Sequence, residues 1–160
     1  CLNLLEKAGY ERYEISAFSK KNFECKHNLN YWRFGDYIAV GAGAHGKYRL
    51  KNDDMIRYQN ASNPNIYMKN LISNKSCHKE KLLSNSDKIF EFMLNNLRLM
   101  SGFSVAHFES ATGLKYDAIE KKLSELNNLK LMKYYPSGYW KPTALGFKFL
   151  DNLQCEFLKV

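Results

Sequence analysis

Between Cys25 and His45 the sequence gathers side chains that ligate metals, stack on flat rings and free backbone amides, in the stretch ECKHNLNYWRFGDYIAVGAGAHGK at 24–47. Cys25 and His27 stand one residue apart. Thiolate and imidazole both bind transition metals and haem iron. Two donors do not close a structural metal site, which takes four. From these residues alone, a histidine hydrogen-bonded to backbone in a loop is the plainer reading of His27. His45, His78 and His107 have still less around them in the sequence.

Tyr31 and Trp32 offer wide faces with one polar edge, able to stack on an aromatic ligand and equally able to fill a core. Lys26 and Arg33 flank them. A flat aromatic wall edged with cations suits a planar molecule with carboxylate arms, such as a porphyrin, and it also suits a solvated basic edge. Gly41, Gly43 and Gly46 alternate with small residues, which would let backbone N–H groups approach a phosphate, carboxylate or adenine edge. GAGAHG is not a G-x-G-x-x-G opening a helix, however, and tight strand packing with a turn accounts for it as well.

These residues need elements to hold them. Leu2, Leu5 and Ala8 fall at helical spacing and Gly9 supplies a left-handed end. YERYEISAF alternates, with Tyr13, Ile15 and Ala17 on one face, and YIAVGAGA is a continuous apolar run of the kind found in strands buried on both faces. Helix, strand, loop, strand predicts part of a parallel α/β sheet, with Ser16 to Phe18 and Gly41 to Gly46 beyond the strand ends, where such sheets hold their ligands. A hairpin is expected around Asn52-Asp53-Asp54, and a short helix with Asn63 as cap and Pro64 at its first position.

The polar stretch SNKSCHKEKLLSNS is the natural boundary, giving domains over 1–80 and 81–160. Beyond it, Ile89, Met93, Leu97 and Met100 form a helical stripe broken by Ser-Gly-Phe. Ser104 is placed as an N-cap, with Phe103 and Phe108 as a hydrophobic staple and Thr112-Gly113 as the stop. Ile119, Leu123, Leu126 and Leu129 mark a third helix. Two short strands follow around Pro136-Ser137-Gly138, then a closing helix capped by Thr143 with Leu145, Phe149 and Leu153 aligned. Three helices, a β-wing and a closing helix spell a winged helix.

Bulk properties narrow the class. The chain has 160 residues, 45% hydrophobic and 25% charged, which is too apolar for a disordered segment and charged enough for a soluble fold. No apolar run approaches the ~20 residues of a membrane span, and the start has no signal-peptide character, so a cytoplasmic setting is expected. A chain opening on Cys1 directly in a helical pattern reads as a fragment. Cys1, Cys25, Cys77 and Cys155 form no C-x-x-C pair, which argues for reduced thiols.

The net charge of +8 favours anionic partners. It sits mainly in the first half: residues 1–83 carry 14 Lys and Arg against 8 Asp and Glu, and residues 84–160 carry 10 against 8. On the third helix Lys115, Lys121 and Lys122 are balanced by Asp117, Glu120 and Glu125. A neutral recognition helix is poorly suited to duplex phosphates, so nucleic-acid binding is the weakest of the functions considered.

The stretch CKHNLNYWRFGDYIAVGAGAHGK resembles the H-N-x-x-Y-W segment of the HemW-type radical-SAM haem chaperones, a family related to the oxygen-independent coproporphyrinogen III oxidases. AGYERYEISAFSK before it, and FEFMLNNLRLMSGFS, FESATGL and YWKPTALGFKFLDNL after it, resemble the same family in the same order. The resemblance implies an α/β fold: the C-terminal strands and helices of a radical-SAM partial barrel followed by a mainly α, winged-helix-like domain.

It also implies haem contact by His27, Asn28, Tyr31 and Trp32, with His27 the candidate ligand to haem iron and Cys25 its competitor. Gly41, Gly43, Ala44 and His45 match the segment that passes S-adenosylmethionine. The family's [4Fe–4S] cluster sits on a cysteine triad that this sequence does not contain, so the chain by itself has no means to start radical chemistry. The function implied is a haem chaperone delivering haem to respiratory haem proteins, without a transmembrane segment though with room for membrane-surface association. The alternative is oxidative decarboxylation of coproporphyrinogen; the H-N-x-x-Y-W segment favours the chaperone.

Overall fold

A computed structural model of the chain describes residues 2–158. The chain divides into two compact units, one made of the residues up to Phe34 together with those from Asn85 onward, the other of Gly35–Ser84. The junction at residues 84–85 lies near the polar boundary read from the sequence, whereas nothing in the sequence marked a junction at residue 34.

The first unit begins with α1 (Leu2–Lys7), ended by Gly9 at φ +78°, and continues through β1 (Glu11–Glu14) and β2 (Ala17–Ser19) to α2 (Lys26–Trp32). A single alternating strand was expected where β1 and β2 form an antiparallel hairpin. The turn is set by charged side chains. A carboxylate oxygen of Glu14 accepts from the Ser16 N–H at 2.8 Å, and the Arg12 guanidinium donates to the Ile15 carbonyl. These local bonds give the backbone an alternative to running straight on. Residues 98–100 lie along the hairpin's start, with Ile15 N–H donating to the Arg98 carbonyl and Met100 N–H to that of Tyr13.

From Asn85 the unit is helical: α4 (Asn85–Asn96), α5 (Val105–Thr112) and α6 (Asp117–Asn128). The cap expected at Ser104 is present, its Oγ accepting from the His107 N–H at 3.1 Å, and Gly113 ends α5 at φ +74°. Strands β6 (Phe103–Ser104), β7 (Met132–Tyr135) and β8 (Tyr139–Pro142) form an antiparallel sheet in the order β6-β8-β7. Three helices with this small sheet make the expected winged-helix-like module. The closing helix is broken at Phe149 into α7 (Ala144–Lys148) and α8 (Leu150–Cys155). Only Leu153 of the expected Leu145-Phe149-Leu153 stripe is buried, because the break turns the other two outward.

Phe92 on α4 organises the core. It is fully buried, with the rings of Phe103, Phe108 and His107 edge-on at 5.2, 5.2 and 5.3 Å and Phe34 at 6.0 Å. Ile119, Leu123 and Leu126 of α6 are buried as their spacing predicted. Leu129 caps the helix and is exposed.

The second unit is an antiparallel sheet, β3 (His45–Arg49), β4 (Met55–Asn60) and β5 (His78–Leu82), in sequence order, with α3 (Pro64–Ile72) between β4 and β5. The hairpin turn holds Asp53 at φ +64°, and Asn63 caps α3 by accepting from the N–H groups of Asn65 and Ile66. Two sequence expectations fail here. The strand pairs among the described residues are antiparallel, and YIAVGAGA is not a buried strand: only Tyr37 pairs, with Lys47, while Ile38 and Val40 are each 85% exposed. The run is apolar, but in its middle, at Ala39 and Gly41, side chains rather than a neighbouring strand take the backbone. The Ala39 N–H donates to the Tyr58 hydroxyl at 2.7 Å, and the Asn60 amide donates to the Gly41 carbonyl at 2.8 Å.

Candidate functional site

His27, Asn28, Tyr31 and Trp32 all lie on α2, where a loop was expected. The helix starts without a side-chain cap, since Cys25 occupies the N-cap position and its thiol makes no capping bond. This missing signal is why the sequence concealed the helix. Helical spacing divides the motif between two faces, because residues four apart lie one above the other. His27 and Tyr31 share one face, with His27 exposed and Tyr31 half-buried; Asn28 and Trp32 share the next and are half-buried. Leu29 and Arg33 follow the same spacing on a third face, lining a cavity of about 390 Å³ with Arg12, Tyr13 and Leu99.

Trp32 is clamped. The Tyr31 ring meets it edge-on at 5.0 Å, and the Arg98 guanidinium lies 4.4 Å from its ring centre. Arg98 is held in turn by the buried Glu14 carboxylate at 3.2 Å and the Ser16 hydroxyl at 3.1 Å. No spacing signal pointed to this Glu14–Arg98–Trp32 relay, since the two ion-paired residues are 84 residues apart. The Trp32 Nε1 is buried without a hydrogen-bond partner.

Past the end of α2, the Arg33 carbonyl meets His107 Nε2 at 3.0 Å. A carbonyl can only accept, so Nε2 carries the proton. Burial pushes the His107 pKa below its ordinary value of 6.5, against that hydrogen bond, which favours the charged form; the Arg33 charge adds to the lowering. With the folded value depressed, the unfolded chain binds the extra proton first as pH falls. This part of the stability is complete above about pH 6.5 and is lost as pH falls through the folded value. His107→Gln, whose amide can still donate to the Arg33 carbonyl, is expected to flatten the slope of Tm against pH below 6.5 relative to the parent. Parallel curves for the two proteins would show that His107 does not titrate in that range.

The glycine loop belongs to the second unit. Gly41 and Gly43 take φ of +100° and +72°, which is where glycine is needed, and neither would bring a Cβ against a neighbour closer than ordinary contact. Much of the loop's backbone is already committed: Gly43 N–H donates to the Ala61 carbonyl, and the Ala44 carbonyl accepts from Asn60 N–H. His45 opens β3 and is exposed. Gly46 is buried, and a Cβ there would overlap the Tyr58 ring, so the position takes glycine. Among the described residues no three His, Cys, Asp or Glu side chains cluster as a metal site requires. Cys25 and Cys155 are exposed and Cys77 is partly so, while Cys1 lies outside the described residues. These thiols do not fit an iron–sulfur cluster. No helix among the described residues is long and apolar enough to cross a membrane.

Residues 83–147 match the family model of the HemN C-terminal domain. Over 98% of its length the chain is 41% identical to the heme chaperone HemW of Buchnera aphidicola subsp. Acyrthosiphon pisum, covering 40% of that protein. It is 37% identical to HemW of Haemophilus influenzae, over 97% of the chain and 39% of the relative. The chain belongs to the HemW-type family. It spans about 40% of the length of the curated relatives it matches. The coproporphyrinogen III oxidase HemN of Escherichia coli, a radical SAM enzyme, matches in structure with a TM-score of 0.62 at 15% identity, over 98% of this chain and 38% of that one. The mixed α/β class expected from the sequence is the class observed, and it resembles this neighbour, with the domain match falling on the winged-helix-like module. Within that module the third helix is α6, and its Lys122 is engaged by Glu125 and Glu156, both at 3.2 Å, which raises its pKa.

Proposed function

We propose that this chain is the haem-contacting portion of a haem chaperone, and that α2 is the element that meets the porphyrin. The observation that carries the reading is the shared face of His27 and Tyr31 beside the clamped Trp32. An exposed imidazole is available to haem iron, and an aromatic pair one turn away supplies flat apolar surface for the macrocycle. Asn28, on the face of Trp32, offers an amide to a polar edge. The partnerless Trp32 Nε1 is consistent with this role: a buried donor left unpaired costs about 1–3 kcal/mol, and a ligand oxygen reaching it would offset that.

In the intact protein the haem is cargo, bound here and released to haem proteins of respiration. Gly41, Gly43, Ala44 and His45 would face S-adenosylmethionine, whose cluster is held by residues other than these; the left-handed glycines keep that backbone open to close approach. Of the two activities in this fold family, the face shared by His27 and Tyr31 favours carriage of haem, since it provides an iron ligand that decarboxylation of an iron-free substrate does not need.

Haem titration of the full-length protein tests this. His27→Ala is expected to shift the Soret band and weaken haem binding about tenfold or more, the scale on which changes around a metal alter its affinity. An unchanged spectrum with unchanged affinity removes His27 as the ligand.

A further inference from the structure

A cavity of about 610 Å³ in the first unit lies between the end of α2, the turn before β6, the start of α5 and the wing. Its walls carry two cations, Arg33 and Lys141, with the hydroxyls of Ser101, Ser104, Ser137 and Tyr139. No carboxylate lines it. Neither cation has a carboxylate partner among the described residues, whereas Arg98 and Lys122 of the same unit are paired. A guanidinium and an ammonium that line one concave space without carboxylate partners, the ammonium lying 5.4 Å from the Tyr135 ring centre, are matched by an anion.

Hydrogen bonds anchor the backbone around the cavity. His107 holds the Arg33 carbonyl, so the guanidinium springs from an anchored backbone. Ser104 Oγ uses a lone pair on the His107 N–H, which leaves its own proton to donate. Ser104 also caps α5, whose first amides have no acceptor within the helix and give that end a partial positive charge. The volume falls within the range of about 300–1,000 Å³ typical of small-molecule sites and unlike a flat polymer-binding face.

We propose that this cavity binds a small molecule bearing two anionic groups, phosphate or carboxylate, one on Arg33 and the other on Lys141. The site is independent of α2's proposed haem face. Calorimetric titration of the whole chain with pyrophosphate and with citrate tests it. At least one of the two is expected to bind, with Arg33→Gln and Lys141→Gln each weakening it about tenfold, as loss of a charge-assisted hydrogen bond does. Lys121→Gln, which removes the same charge from the exposed side of α6, is the control and should bind like the parent. Circular dichroism on each variant confirms that the fold is kept. Binding of pyrophosphate alone assigns a phosphorylated ligand, and of citrate alone a carboxylate. Failure of both at roughly millimolar concentration, or equal weakening in all three variants, overturns the proposal.

Discussion

Phe92→Ala is expected to lower the stability of the first unit by about 3–5 kcal/mol, the range for deleting a fully buried aromatic ring. The ring touches Phe34 after α2, Phe103 on β6 and His107 and Phe108 on α5, all edge-on. Those four come from three separate parts of the chain, so no single shift closes the space, and a void that cannot collapse carries the larger penalty. Domains of this kind have only about 5–15 kcal/mol in total, so the variant would sit near its unfolding threshold. Urea denaturation followed by tryptophan fluorescence checks it, with the midpoint falling and the m-value kept. A loss under about 1 kcal/mol would mean that the core repacks around the gap, contrary to the rigid ring cluster described above.

Gly102→Ala should have the second-largest effect, about 2–4 kcal/mol, combining the left-handed backbone penalty with overpacking. Gly102 sits at φ +68°, and a Cβ there would overlap the Trp140 carbonyl oxygen, a backbone atom of β8 that cannot rotate aside. Gly138 provides the comparison: its φ is +83°, with nothing near its Cβ position. Gly138→Ala therefore loses only the conformational part, about 1–2 kcal/mol. Thermal unfolding of the two variants side by side separates conformation from crowding. Equal losses would show that the β6–β8 approach at Gly102 is loose.

The second half of the chain was legible because its signals are local. Ser104 and Thr143 cap helices and Gly113 stops one; each is settled within a few residues. The first half was misread where distant residues decide. YIAVGAGA has the composition of a buried strand, yet its amides and carbonyls are taken by Tyr58, Tyr67 and Asn60, 19 to 26 residues further on. The hairpin of β1 and β2 hid behind an alternation that a straight strand would share, and the Glu14 carboxylate that bends it reads as an ordinary surface charge until Arg98 is placed beside it. The chemistry of α2 was visible as residue types, and its division into faces was not, since an uncapped helix of seven residues leaves little periodicity to detect. The cavity between Arg33 and Lys141 joins positions far apart in the sequence, and no spacing rule reaches across that interval.

Glu14 and Arg98 meet across 84 residues, and this separation orders events during synthesis. A ribosome delivers the early hairpin and the imidazole-bearing helix long before the arginine that steadies Trp32 has emerged. Until then the indole has no guanidinium above it. Closing so long a loop also demands chain entropy that neighbouring pairs do not. The segment carrying the motif is thus made before its clamp and secured late, and a nascent chain cut off before residue 98 would display the aromatic pair without the clamp that defines its finished form.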